Sequence, residues 1–184
     1  LLWDTSLVNS NWVYAGSPDA FHQFDNVLFD DTCVSQVVWP SGTLSPSSIT
    51  FAGNSKNLWV TNRSGVTPWG SMTGNGGLTK NGANTVTWGI ATNTFTGPIN
   101  INNGVLKIFD PTFATPGGAL VLGPSNSPIN IASGATLDIS GVGSISYGKT
   151  NFVSGTGFNG MGAITNSAAS GSPTASNSKR PPAA

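Results

Sequence analysis

The chain has 184 residues, of which only 8% are charged, and seven Lys and Arg balance seven Asp to a formal net charge of zero. Roughly 25% charged is the globular average, and with no basic surplus the electrostatic footprint of a general nucleic-acid or anionic-membrane binder is missing. Twenty-four Gly and twelve Pro, with abundant Asn, Ser and Thr, leave few helix formers, which rules against helical bundles and coiled coils and predicts an all-β chain with many turns.

The start, Leu1-Leu2-Trp3-Asp4, carries neither a charged n-region nor a long apolar stretch, and no run in the sequence approaches the roughly 18 apolar residues of a membrane span. All six tryptophans, at positions 3, 12, 39, 59, 69 and 88, fall in the first half. Residues 1–70 are therefore read as a distinct Trp-rich start, a cap or small β segment, since the first of a set of stacked strands otherwise exposes an open edge. Cys33 stands alone, so neither a disulfide framework nor a cysteine metal site can be built from it. The neighbouring Asp30 and Asp31 would raise its pKa, and it reads as a small buried residue.

Apolar residues recur as period-2 pairs: Ile49/Phe51, Leu58/Val60, Val86/Trp88, Ile99/Ile101, Leu106/Ile108, Leu120/Leu122, Ile129/Ile131, Leu137/Ile139 and Ile145/Tyr147. Each predicts a short strand with one buried face. The intervening Asn75-Gly76, Asn81-Gly82, Asn103-Gly104 and Asn159-Gly160 supply positive φ, and such pairs also make hairpin turns. Spacing alone leaves an antiparallel β-sandwich and a parallel β-solenoid both open. An internal repeat tips the balance: Pro98-Ile99-Asn100-Ile101-Asn102-Asn103-Gly104 recurs as Pro128-Ile129-Asn130-Ile131-Ala132-Ser133-Gly134, each followed by an apolar strand, as stacked rungs would require. Rungs are expected over 71–166. Residues 167–184, rich in Ser, Ala and Pro and ending near Lys179-Arg180, read as a tail unable to bury a core.

Gly76-Gly77-Leu78-Thr79-Lys80-Asn81-Gly82, followed by Asn93-Thr94-Phe95-Thr96-Gly97 and then Asn103-Gly104-Val105-Leu106, resembles the autotransporter-associated β-strand repeat, also called the passenger-associated transport repeat. That family pattern runs G-L-x-K-x-G, N-x-[YF]-x-G and N/A-G-x-L, and the match covers about 30 residues. Phe24 to Thr32, with Trp3-Asp4 and Asn11-Trp12, looks like the family's lead-in, and Gly155 to Asn166 is similar to a further rung. The resemblance implies a right-handed parallel β-helix exported from a bacterium to the surface or medium, acting as stalk, adhesin or scaffold.

Candidate chemistry is sparse. Gly155-Thr156-Gly157-Phe158-Asn159-Gly160 matches G-x-G-x-x-G, yet no helix opens at its third glycine and no acid follows Asp138, so a dinucleotide site is rejected. Asp25, Asp30 and Asp31 form the only acidic cluster and are the weak candidates for calcium, which wants six to eight oxygens. An Asp-rich turn bonded to its own amides explains them as well. His22, beside Asp19 and Asp25, is the one histidine a triad could use, but no G-x-S-x-G elbow exists. Trp59, Trp69 and Trp88 are the candidates for stacking on sugars, against the alternative that large rings fill a core. The expected protein is a non-enzymatic extracellular building block without a cofactor. It associates with itself through solenoid ends and the tail, with glycans or cell-surface components as further partners, no nucleic acid and no membrane span. A glycan-contacting adhesin module is the alternative, and a polysaccharide-active enzyme is the third reading.

Overall fold

The computed structural model describes residues 1–62, 68–90, 92–109, 121–124, 126–139 and 149–167. Its first strands are β1 (Leu2–Trp3), β2 (Trp12–Tyr14), β3 (Ser17–Asp19), β4 (Asn26–Phe29), β5 (Val37–Pro40) and β6 (Thr43–Leu44). There follow β7 (Ser48–Phe51), β8 (Leu58–Thr61), β9 (Ser71–Met72), β10 (Gly77–Lys80), β11 (Thr85–Gly89) and β12 (Ile99–Ile101). The last are β13 (Gly104–Ile108), β14 (Ile129–Ile131), β15 (Ala135–Asp138), β16 (Asn151–Val153) and β17 (Ile164–Thr165). Among the described residues the one helical element is a 3₁₀ turn, Phe158–Gly160.

Two large sheets dominate. One has six strands in the order β16-β14-β12-β10-β7-β4, and the other seven in the order β1-β5-β8-β11-β13-β15-β17. From β10 onward the chain alternates between them, so each pass adds one strand to each sheet beside the strand laid down before; the two earlier passes, β4-β5-β6 and β7-β8-β9, each add a third strand, and β6 and β9 pair in parallel in a small sheet of their own. All the ladders within both sheets are parallel. An antiparallel sandwich is therefore not what these strands form; among the described residues the one antiparallel ladder joins β2 to β3. The Asn-Gly pairs are correspondingly not hairpin turns within a sheet: Asn103-Gly104 leads from β12 in one sheet to β13 in the other.

The repeat copies lie side by side, Ile99 opposite Ile129, Asn100 opposite Asn130 and Ile101 opposite Ile131. Alternation then builds columns. Val27, Ile49, Leu78, Ile99 and Ile129 share one inward column, and Phe29, Phe51, Lys80, Ile101 and Ile131 the next. Facing them, Leu58, Val86, Leu106 and Leu137 stand in register. All of these are buried, and each fully buried aliphatic side chain contributes about 1.5–3 kcal/mol. A strand too short to be stable alone is held because its inward residues meet their counterparts on both sides.

Two glycines show what the turns demand. Gly104 has φ 69°, a conformation that costs glycine little. Gly82 is needed for space instead, since a Cβ there would lie 1.8 Å from the Gly53 carbonyl oxygen. The strand pair Ile145/Tyr147, Leu120, Asp110 and all of the tail beyond Ser167 lie outside the described residues.

Candidate interaction faces

The segments that carry the repeat motif are built into the fold's interior. Leu78 is fully buried at the centre of its column. Lys80, two residues on, occupies a position where its column neighbours are Phe51 and Ile101. Its Nζ donates to the Gly82 carbonyl and to the Asn103 carbonyl at 3.3 Å, tying one pass of the chain to the next. Burial lowers its pKa from 10.5 to about 8. Asn93 is buried and satisfied on three sides: Oδ1 accepts from Met72 N–H at 2.8 Å, and Nδ2 donates to the carbonyls of Ile90 and Val121 at 2.8 and 2.7 Å. Phe95 is buried two residues later. Each of these side chains faces the interior, where its contacts hold the stacked strands together.

The acidic residues are likewise engaged in turns. Asp31 accepts from the backbone N–H groups of Asn54 and Ser55 at 3.0 Å and of Lys56 at 3.2 Å, and from Ser55 Oγ at 2.8 Å. Those donors hold its carboxyl far below the usual carboxylate range. Asp30 is lowered by the Thr32 hydroxyl and N–H. Asp25 accepts from His22 N–H at 2.8 Å, and the His22 ring stands 3.8 Å from its carboxylate on an exposed turn. Among the described residues no group of three His, Cys, Asp or Glu is placed to hold a metal. The Cys33 thiol is pushed up by burial.

The three tryptophans singled out from the sequence part company. Trp88 is fully buried and its Nε1 donates to the Val121 carbonyl at 2.8 Å, so it presents no ring face to a sugar. The inward register of β11, beside Val60 and Ile108, places it there. Trp59 points outward, 48% exposed, with the Phe109 ring 6.3 Å away. Trp69 is 46% exposed and forms an isolated bridge with Ser41.

The ends of the sheets carry features that periodicity did not single out. At the N-terminal end the core closes on an aromatic cluster. The Trp12 ring lies 5.4 Å from both Trp3 and Phe29, and Trp3 lies 5.5 Å from Phe21. The β2–β3 hairpin and β4 line a cleft of about 700 Å³, onto which Tyr14, Phe24, Leu28 and Val34 open. Among the described residues β4 pairs on one side only, with β7. At the opposite end β16 and β17 are the edge strands among the described residues, and Phe152, Val153, Met161 and Ile164 are exposed. Unpaired edges with apolar neighbours are the surfaces most disposed to add another strand. No described helix is long and apolar enough to cross a membrane. No family model, curated protein or solved structure matches the chain.

Proposed function

We propose that the chain forms a right-handed parallel β-helix and serves as a non-enzymatic structural building block of a bacterial surface structure, fibre or extracellular matrix, joined to further copies end to end. The observation that carries this reading is the pair of open sheet edges, β4 at one end and β16 at the other, each flanked by exposed apolar side chains. Between them the interior is continuous packing, and the fully buried polar side chains of Lys80, Asn93 and Thr136 are hydrogen-bonded to backbone carbonyls. A zero net charge removes repulsion between copies. An open edge is satisfied when another strand is added, and a contact between unlike ends whose rotation does not close into a ring propagates as a filament.

Negative-stain imaging across a concentration series, beside size-exclusion light scattering, tests this. Regular filaments that lengthen with concentration support it, and a chain that stays monomeric throughout contradicts it. Deleting residues 167–184 asks whether the tail acts as a clasp: loss of the filaments assigns it that part, and unchanged filaments remove it.

A second reading, contact with glycans as a module of a larger adhesin, is favoured by Trp59, whose ring stands outward beside Phe109. Retention on immobilised polysaccharides, lost on Trp59→Ala, would support it.

A further inference from the structure

We infer that the partner of the β4 edge is the β16 edge of a second copy of this chain, added in parallel with Phe152 opposite Leu28. This rests on the assembly reading above and names its contact.

The first argument is hydrogen-bond phase. Along a parallel strand, successive residues direct their N–H and C=O groups alternately to the two neighbouring strands. The carbonyls of Asp25 and Phe29 accept from Ser47 and Ala52, so residues of that parity on β4 face β7. The N–H and C=O of Leu28 therefore point to the open side. On β16 the parity is opposite: the Thr150 carbonyl accepts from Ile129 and the Ser154 N–H donates to Ile131, both toward β14. Asn151 and Val153 are left to point outward from the sheet's other edge. One edge thus offers its outward-facing residue and the other its inward-facing residues, which is the phase every ladder inside the sheet already has. A second β4 edge, or a second β16 edge, meets its own phase and forms no such parallel continuation.

The second argument is the column. Leu28 is opposite Thr50, Thr50 opposite Thr79, Thr79 opposite Asn100, Asn100 opposite Asn130, and Asn130 opposite Phe152. The interior of that outward column is polar, and only its two ends are large and apolar, 55% exposed at Leu28 and 59% at Phe152. Continuing the register by one strand sets these two side chains together and shields both, and brings Val153, itself 48% exposed, beside Phe29. The cleft at Leu28 gives the incoming strand room between β4 and the hairpin. Neither edge strand carries a charged residue.

Cysteine cross-linking tests the register. Leu28→Cys and Phe152→Cys are made separately in a Cys33→Ser background, each checked for an unchanged circular dichroism spectrum and melting curve. Directly opposed residues on neighbouring strands have Cα atoms about 5 Å apart, within disulfide reach. Mixed under mild oxidant, the two variants are expected to give a linked dimer that neither gives alone, and the double variant a ladder of higher oligomers. Filaments without the mixed disulfide overturn this contact while leaving end-to-end assembly standing. A homodimer of either single variant also overturns it, because like edges would then be meeting. No assembly and no disulfide overturns both.

Discussion

Asn130 Nδ2 donates to Asn100 Oδ1 at 2.7 Å, across two strands whose sequences are copies of each other. The same device recurs at a corner, where Asn102 Nδ2 donates to Asn81 Oδ1 at 2.8 Å. On an outward face such a bond contributes about 0.5–1.5 kcal/mol. Asn130→Ala is expected to lower stability by about that amount, read from urea unfolding, without changing the circular dichroism spectrum.

Asn93 presents the opposite case, since it is buried and holds three backbone groups from separate turns. Asn93→Leu keeps the volume and leaves the Met72 N–H and the Ile90 carbonyl without that partner, at about 1–3 kcal/mol for each buried group. A loss of about 3 kcal/mol or more is expected in denaturant unfolding, several times the effect at Asn130.

Burial lowers Lys80 and Lys149 from 10.5 to about 8 in the folded chain. Below pH 8 both ammonium groups are charged whether the chain is folded or not. Between about pH 8 and 10.5 the folded chain has released these protons while the unfolded chain keeps them, so their contribution to stability rises with pH across that window. Lys80→Met should flatten the rise in a pH series of unfolding midpoints. It should also destabilise the chain at neutral pH if the carbonyls of Gly82 and Asn103, which the Lys80 ammonium bonds, are left unpaired.

Trp88 and Trp59 are expected to separate in the same assay. Trp88→Ala opens a cavity in the core and removes the bond to Val121, a loss of about 3–5 kcal/mol. Trp59→Ala on the outward face should cost less than about 1 kcal/mol, and an equal loss at both sites would contradict their opposed orientations.

The strands were legible where the apolar pairs were clean: Ile49/Phe51, Leu58/Val60, Val86/Trp88 and Ile99/Ile101 each stand inward on a strand. Their parallel pairing was legible only through the repeat, because a period of two is common to parallel and antiparallel sheets. Lys80 hid the strand that carries it, since a lysine at an inward position breaks the apolar alternation begun by Leu78. Its burial is intelligible once the Gly82 and Asn103 carbonyls are seen beside it. Gly82 was read as a source of positive φ, yet close approach of the Gly53 carbonyl is what excludes a side chain there. Open ends were expected from the stacking of rungs, but the residues that form them were not legible, because Leu28 and Phe152 become the two ends of one column only after every strand between them is placed.

Fibre diffraction from an aligned, concentrated sample tests the central claim most directly. Copies joined edge to edge keep their strands perpendicular to the long axis of the assembly, and a meridional reflection at about 4.8 Å is expected. Filaments whose 4.8 Å reflection lies on the equator would show strands running along the axis, which contradicts end-to-end growth of the sheets.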